Sequence, residues 1–203
     1  MLRLEHVSHR YENEPVLHDI SLSFEPGSFN IVTGESGSGK STLLSIVSTL
    51  LKPSEGKIYF DGVERGEIGD IDRFRNRNIG FVFQFHYLIG HLSVYENVAL
   101  VTKKGRKAIM VLLERLGIAE LAGKHPDQIS GGQRQRAAIA RALINEPRYL
   151  FADEPTGNLD SKNSEMVFDL LRQIDATRIV VTHDRNILRP TDRLIELKDG
   201  KLC

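Results

Sequence analysis

The stretch GESGSGKST, from Gly34 to Thr42, constrains the fold of this chain more than any other feature. It satisfies G-x-x-x-x-G-K-[ST] and lies between a strand-like apolar run, FNIVT at 29–33, and a stretch with helical apolar spacing at 40–51. Its glycines permit positive φ, so successive backbone N–H groups can curl around phosphate oxygens at a helix N-terminus. A random chain of this length matches the pattern roughly one time in a hundred. We therefore interpret the stretch as a phosphate-binding loop.

The loop predicts a bound nucleotide and a magnesium ion. Lys40 is expected to reach the β- and γ-phosphates, and the Ser41 hydroxyl is expected to bind Mg²⁺. The remaining predicted nucleotide-binding residues of the loop are Gly34, Glu35, Ser36, Gly37, Ser38, Gly39 and Thr42.

A pair of acids follows a second apolar run, YLFA at 149–152. Asp153, at the carboxyl end of this predicted strand, is placed to order Mg²⁺. Glu154 points differently because it is the next residue, and it could polarise an attacking water as a general base. Strands often end in solvated acids, so the catalytic interpretation depends on the phosphate loop being present as well.

Two single polar residues also follow apolar strand-like runs: Gln84 ends IGFVFQ and His183 ends RIVVTH. The carboxyl ends of strands in a parallel sheet gather at the ligand crevice. A lone glutamine or histidine in such a position is usually structural. Four polar residues at the ends of three strands, all beside one phosphate loop, favour a shared site.

The alternation of apolar strand-like runs with helix-like stretches, such as 163–174, predicts an α/β core with a mostly parallel sheet. Two regions differ from it. LRLEHVSHRY, LHDISLSFEPG and GKIYFDG are typical of antiparallel strands joined by turns. Residues 85–133 look helical and interrupt the strands like an inserted lobe. We predict one domain over 1–203, with 1–84 and 134–203 as the core and 85–133 as a helical subdomain.

A second glycine-containing stretch, ISGGQ at 129–133, raises a question of its own. Ser130 and Gln133 fit a capping box at a helix start. That interpretation leaves Gly131 and Gly132 unexplained, since each glycine costs about 1 kcal/mol in a first helical turn. Glycines there suit a ligand that approaches the backbone closely, and a helix N-terminus suits phosphate. Because Lys40 already serves one γ-phosphate, we expect this stretch to serve the nucleotide of another copy.

Composition limits the partners of the chain. Lysine plus arginine and aspartate plus glutamate number 27 each, so no net charge attracts nucleic acid or anionic lipid. No apolar run approaches the roughly 20 residues that span a bilayer, and the opening residues lack the apolar core of a signal peptide. The single cysteine, Cys203, suits a reducing compartment. We therefore expect a cytosolic location, without direct lipid insertion, in which any membrane is reached through a partner.

The motifs in their order resemble those of the ATP-binding subunit of ATP-binding-cassette (ABC) transporters: the phosphate loop, Gln84, ISGGQ, LFADEP, GNLD and THD. The resemblance covers essentially the whole chain. It implies a P-loop NTPase (RecA-like) core with an N-terminal antiparallel β subdomain and an inserted α-helical subdomain. It also implies an ATPase that uses Mg²⁺ and dimerises head to tail around two ATP. Such a subunit powers a separate multi-span permease from the cytoplasmic face of the inner (plasma) membrane.

The resemblance also implies roles for individual residues. Tyr11 would stack on adenine, and Asp160 in GNLD would link the two nucleotide sites. Gln84 would bind Mg²⁺ and report to the permease, while His183 would contact the γ-phosphate and position water with Glu154. The residues that would contact the γ-phosphate across the dimer are Ser130, Gly131, Gly132 and Gln133. Ile129 stands where leucine is usual, which conserves volume.

Within the superfamily, FVFQFHYLIGHLSVYENVAL and ADEPTGNLDS resemble the group of lipoprotein-release, macrolide-efflux and cell-division ATPases. The substrate stays open. One alternative is a soluble ABC-type ATPase that acts on ribosomes or DNA, although such proteins usually carry two cassettes or long coiled-coil inserts. A simple P-loop kinase is a weaker alternative because it leaves ISGGQ and GNLD unexplained.

Overall fold

Two β-sheets organise the chain in the computed structural model, which describes residues 1–157 and 159–203. Asn158 of the GNLD motif lies outside the described residues. The strands of the described part are β1 Leu2–Tyr11, β2 Glu14–Phe24, β3 Phe29–Thr33, β4 Glu55–Phe60, β5 Val63–Glu64, β6 Ile79–Val82, β7 Tyr149–Asp153, β8 Thr177–Val181, β9 Arg193–Lys198 and β10 Lys201–Leu202. Its α-helices are α1 Lys40–Val47, α2 Ile71–Asn78, α3 Val94–Ala99, α4 Arg106–Arg115, α5 Gly131–Leu143 and α6 Ser161–Arg172. Short 3₁₀ helices cover Arg65–Glu67, Ala119–Leu121, Pro126–Gln128 and Arg185–Ile187.

The larger sheet has the strand order β10-β9-β3-β8-β7-β6 among the described residues. β3 pairs in parallel with β8 and β9, and β7 pairs in parallel with β6 and β8, whereas β10 is antiparallel to β9. All five residues of β8 are buried, as expected for a strand covered on both faces. The prediction of a mostly parallel α/β sheet is confirmed.

The register of this sheet aligns the strand ends. Val82 pairs with Ala152, so Gln84 and Glu154 each lie two residues beyond the same rung. Val181 pairs with both Val32 and Asp153, which brings the start of the phosphate loop to the same edge as the acid pair. The carboxyl ends therefore converge as the sequence predicted.

The smaller sheet has the order β2-β1-β4-β5 and is antiparallel, which confirms the predicted N-terminal β subdomain. The apolar core lies on both faces of the parallel sheet. Ile31 and Val180 pack on the face that carries α4, α5 and α6, while their neighbours Val32 and Val181 pack on the face that carries α1 and the antiparallel sheet. Adjacent strand residues point to opposite faces, which accounts for the division.

The inserted helical region is confirmed, but helix occupies less of 85–133 than predicted. Residues 85–93 form an irregular segment, in which His86 and Tyr87 have φ of 59° and 46°. The fully buried Asn97 side chain satisfies this segment by accepting from the Ile89 N–H and donating to the Ile89 and Leu92 carbonyls. Because α5 runs from Gly131 to Leu143, the predicted boundary between 133 and 134 falls inside one continuous helix.

Helix ends also differ from the predicted ranges. The helix expected over 40–51 ends at Val47, because Thr49 adopts a left-handed φ of 67° and the Arg75 guanidinium binds its carbonyl and hydroxyl oxygens. The helix expected over 163–174 begins earlier, at Ser161, where Asp160 caps it.

The β9–β10 hairpin was not predicted from the sequence. β9 lies beside β3 as a parallel strand, and the chain then turns at Asp199 and Gly200, both with positive φ. Positive φ at both central residues is the type I′ geometry that an Asp-Gly pair favours. The alternation in RLIELK followed by DG was the available signal.

A charge cluster ties the two sheets together at Asp61, in the turn between β4 and β5. Its carboxylate forms ion pairs with the Met1 ammonium and with the Arg148 guanidinium. Arg148 directly precedes β7 of the larger sheet. Burial raises the pKa of Asp61, but hydrogen bonds from the ammonium, the Tyr149 hydroxyl and Arg148 outweigh it, so the pKa is lowered.

We predict that Asp61→Asn lowers the free energy of unfolding at pH 7 by about 0.5–1 kcal/mol, since the ion pairs are partly exposed. The lowered pKa stabilises the folded state fully above the ordinary aspartate pKa of about 4, and this stabilisation is lost as pH falls through the lowered value. The free energies of unfolding of the unsubstituted protein and of Asp61→Asn, measured by denaturant unfolding, should therefore become equal in strong acid. Asp127→Asn is the control, because the structure records no ion pair for Asp127 among the described residues. A difference that persisted unchanged into strong acid would contradict the assignment.

Candidate nucleotide site

The phosphate loop connects β3 to α1, and its glycines are required by close packing at Gly34 and Gly39 and by positive φ at Gly37. Gly37 and Gly39 have φ of 80° and 96°. A Cβ on Gly34 would lie 2.1 Å from the Leu197 carbonyl oxygen in β9, and one on Gly39 would lie 2.8 Å from Leu17 Cδ2 in β2. The loop is thus wedged between two strands at positions where no side chain fits.

Lys40 lies over its own loop. Its Nζ donates to the carbonyl oxygens of Gly34 and Glu35, at 2.9 Å and 2.7 Å. An ammonium group has three N–H donors, so the third is left to point elsewhere. Among the described residues, the structure records no acceptor for the backbone N–H groups of Lys40 and Ser41. This arrangement of donors fits a polyphosphate.

The β9–β10 hairpin supports the loop from outside. The Gly200 N–H donates to the Ser38 carbonyl at 3.2 Å, and its carbonyl accepts from the His18 N–H at 2.9 Å. A Cβ on Gly200 would lie 2.2 Å from the Val16 carbonyl oxygen. Sequence reasoning missed this residue because the contact joins positions far apart in the chain.

Asp153 and Ser41, the two residues expected to hold Mg²⁺ together, lie within hydrogen-bond reach of each other. The Ser41 hydroxyl donates to Asp153 Oδ1 at 3.3 Å. Burial raises the pKa of Asp153, and the neighbouring Glu154 charge adds to the shift, while the Ser41 hydrogen bond and Lys40 oppose it. A desolvated carboxylate beside a second acid is stabilised by a bound cation, and oxygen donors are what Mg²⁺ prefers. The residues present therefore fit this ion.

Glu154 and His183 form a contact that joins β7 to β8. Glu154 Oε1 lies 2.9 Å from His183 Nδ1, and because an ionised carboxylate only accepts, Nδ1 carries the proton. The Glu154 side chain is 15% exposed and that of His183 is 74% exposed. Glu154 also has a φ of 44°, an unfavourable conformation of the kind found at functional sites.

Gln84 reaches the same edge but contacts a different loop. Its Nε2 lies 2.9 Å from the position of a Cβ on Gly157, just after the acid pair. No hydrogen bond joins Gln84 to Ser41 or Asp153 in the described part of the chain. A cavity of about 450 Å³ is lined by Glu154, Gly157 and His183 among others.

Tyr11 ends β1 with its ring half exposed. It pairs with Glu14, two residues before Val16, whose carbonyl oxygen would lie 3.1 Å from a Cβ on Gly39. At about 3.3 Å per strand residue, this pairing brings Tyr11 near the phosphate loop. The buried His9 ring packs edge-on against Tyr11 at 4.8 Å, a support that sequence reasoning missed.

The ISGGQ stretch starts α5 with a complete capping box. The Ser130 hydroxyl accepts from the Gln133 N–H at 3.3 Å, and Gln133 Oε1 accepts from the Ser130 N–H at 2.8 Å. The structure records no acceptor for the N–H groups of Gly131 and Gly132 among the described residues. No described hydrogen bond joins this stretch to the phosphate loop of the same chain.

Asp160 caps α6 by accepting from the Asn163 N–H at 3.0 Å. Its role in linking two nucleotide sites stays a prediction.

A parallel α/β sheet with a phosphate loop after β3 and an acid pair after β7 defines the class of P-loop nucleotide-binding proteins. Comparison with known proteins narrows the class. Residues 17–157 match the family model described as ABC transporter. The chain is 43% identical to the lipoprotein-releasing system ATP-binding protein LolD of Aquifex aeolicus, over 100% of this chain and 96% of that protein.

Two solved structures are also similar to the chain. The dimeric structure of MJ0796, a bacterial ABC transporter cassette, has a TM-score of 0.89 and 39% identity, covering 100% of this chain and 96% of that one. A dimeric post-hydrolysis state of the same cassette, bound to ADP and Pi, has a TM-score of 0.87 and 38% identity with the same coverage.

The chain therefore belongs to the ABC transporter family. It is the nucleotide-binding subunit of an ABC transporter, an ATPase whose activity is coupled to transport. In the described part of the chain, no helix combines the length and apolar character needed to cross a membrane.

We predict that Gly200→Ala weakens ATP binding by at least tenfold, because its methyl group would displace Val16 and with it the loop. The matched control is Gly62→Ala in the Asp61–Gly62 turn. Gly62 has a comparable φ of 87°, but an added Cβ meets nothing within 4 Å. Both variants should lose about 1 kcal/mol of stability from the left-handed alanine. Equilibrium titration with ATP distinguishes them, and equal affinities would contradict the role of the hairpin.

Proposed function

We propose that two copies of this chain dimerise around two ATP molecules and that closure and hydrolysis drive a separate multi-span membrane permease. The observation that supports this proposal most directly is that hydrogen-bond donors able to bind phosphate lie on two separate surfaces of one chain. The loop around Lys40 is one surface, and the N–H groups of Gly131 and Gly132 are the other. Because no described hydrogen bond joins the two surfaces, a second copy is the natural source of the missing contacts.

Hydrolysis is assigned to the carboxyl edge of the sheet. Glu154 accepts a proton from the attacking water as general base. Its partner His183 holds the carboxylate in one orientation and stabilises its charge, and it reaches toward the γ-phosphate. Lys40 and the loop N–H groups bind the phosphates, and Tyr11 stacks on the adenine ring. The Glu154 side chain is only 15% exposed, and this shielding from water strengthens the electrostatic interactions of its carboxylate.

Ser41 and Asp153 would hold Mg²⁺, with Gln84 as a further ligand. When bound there, the ion would supply positive charge that offsets the negative charge of the phosphate oxygens. Gln84 lies between the carboxyl edge of the sheet and the irregular segment 85–93. A permease that contacts this segment would therefore act on the nucleotide site through Gln84.

The comparisons support this proposal. The relative from Aquifex aeolicus is named as part of a lipoprotein-releasing system, and the similar solved cassette is a dimer. We propose the same kind of work here: export, lipoprotein extraction or force transmission by a permease, with the chain on the cytoplasmic face of the inner membrane. We also propose that 1–84 and 134–203 form the core and 85–133 the helical subdomain, joined by the continuous helix α5.

Glu154→Gln should slow ATP hydrolysis by about 10²–10⁴-fold, since the amide cannot accept the water proton. Binding of ATP should persist, because the phosphate donors are unchanged. With MgATP, the variant should accumulate as a dimer in light scattering, while Lys40→Ala should remain a monomer. A Glu154→Gln protein that stayed monomeric at saturating MgATP would contradict the shared site.

Detergent capture of tagged Glu154→Gln from its native cells with MgATP tests the permease. A multi-span membrane protein should copurify at a stoichiometric level, as identified by mass spectrometry. Recovery of ribosomal or DNA-repair proteins without a membrane protein would instead favour a soluble ATPase.

A further inference from the structure

The start of α5, at Gly131 and Gly132, and Asp160, before α6, are linked within one chain by Asn163. Asn163, in the first turn of α6, stands over the first turn of α5. Its Oδ1 lies 3.2 Å and its Cγ 3.3 Å from the position of a Cβ on Gly132. These distances are tighter than ordinary van der Waals contact, so any side chain at 132 would press on the Asn163 amide.

The same amide holds Asp160. Asn163 Nδ2 donates to Asp160 Oδ2 at 2.6 Å, and the Asn163 backbone N–H donates to Asp160 Oδ1 at 3.0 Å. Both carboxylate oxygens are therefore engaged by one residue. A hydrogen bond to an ionised acceptor is stronger than a neutral one, so this contact orients the carboxylate firmly.

The amide has a defined direction. Because Nδ2 must face the Asp160 carboxylate, Oδ1 faces the N-terminal end of α5. The partial positive charge of a helix N-terminus favours a partial negative oxygen there. Asn163 thus complements both neighbours at once, which a simple helix cap does not require.

We propose that Asn163 is a positioning residue that fixes the Gly131 and Gly132 N–H donors at a set distance from Asp160. The inference rests on the proposed function, in which Gly131 and Gly132 reach the nucleotide of a second copy, and on the expected role of Asp160 as the link between the two nucleotide sites. With Asn163 in place, the N–H donors of Gly131 and Gly132 and the Asp160 carboxylate form one rigid surface. This surface is already ordered before the second copy binds to it. Packing against Asn163 is thus a second reason for glycine at position 132, in addition to the close approach of a ligand.

The test uses Glu154→Gln as the parent, with Asn163→Ala added to it. Alanine removes the side-chain amide but keeps the backbone N–H that donates to Asp160 Oδ1, so α6 retains its cap. MgATP affinity of the monomer, measured at a protein concentration too low for dimers, should stay within about twofold. The dimer dissociation constant at saturating MgATP should rise roughly tenfold, as expected for loss of a charge-assisted hydrogen bond.

Two further variants sharpen the result. Asn163→Asp places a second carboxylate against Asp160 and should weaken the dimer more than alanine does. Glu165→Ala is the control: the residue is exposed on the same helix, and the structure records no ion pair for it among the described residues. It should leave both constants unchanged.

Each outcome decides the matter. A parent that dimerises, with Asn163→Ala dimerising equally well, overturns the inference and leaves the shared site intact. Monomer affinity, thermal midpoint and dimer affinity falling together would show that Asn163 is merely structural, which also overturns it. A parent that fails to dimerise removes the proposed function and this inference with it.

Discussion

The parallel pairing of β3 with β8 and of β8 with β7 is the constraint on which the site depends. It places the loop after Thr33, the acids after Ala152 and the histidine after Thr182 at one edge of one sheet. Parallel strands need long crossover connections, and here these are the helical segments that cover both faces. The groups proposed to be catalytic are thus positioned by a buried framework of strands, although they themselves lie at the strand ends or just beyond them.

Two adjacent carboxylates illustrate how this framework differentiates similar side chains. Asp153 still belongs to β7 and points into a buried region, where desolvation raises its pKa and favours a bound cation. Glu154 is the first residue past the strand, and its positive φ turns it toward His183. One acid is thereby suited to hold a metal ion and the other to accept a proton, although they are neighbours in the chain.

The elements that surround the nucleotide loop come from distant parts of the chain. β2 contacts Gly39, while β9 contacts Gly34 and the turn at Gly200 contacts Ser38. The start of α5 meets α6 through Gly132 and Asn163. Glycine at these positions reflects crowding by other backbone or side chains as much as the shape of a ligand.

The sequence by itself determined the local elements and the inventory of groups. Spacing and residue type predict the phosphate loop, the four polar residues at strand ends, the capping box and the two kinds of sheet, because these features depend on near neighbours in the chain. Only the tertiary structure decided which distant groups meet: Gly200 with Val16, Asn163 with Gly132, and Asp61 with both Met1 and Arg148. It also decided that 85–93 is irregular and that α1 stops at Val47, since Asn97 and Arg75 satisfy backbone groups that helices would otherwise use. Such contacts are set by how elements pack, and local pattern carries no information about a partner a hundred residues away.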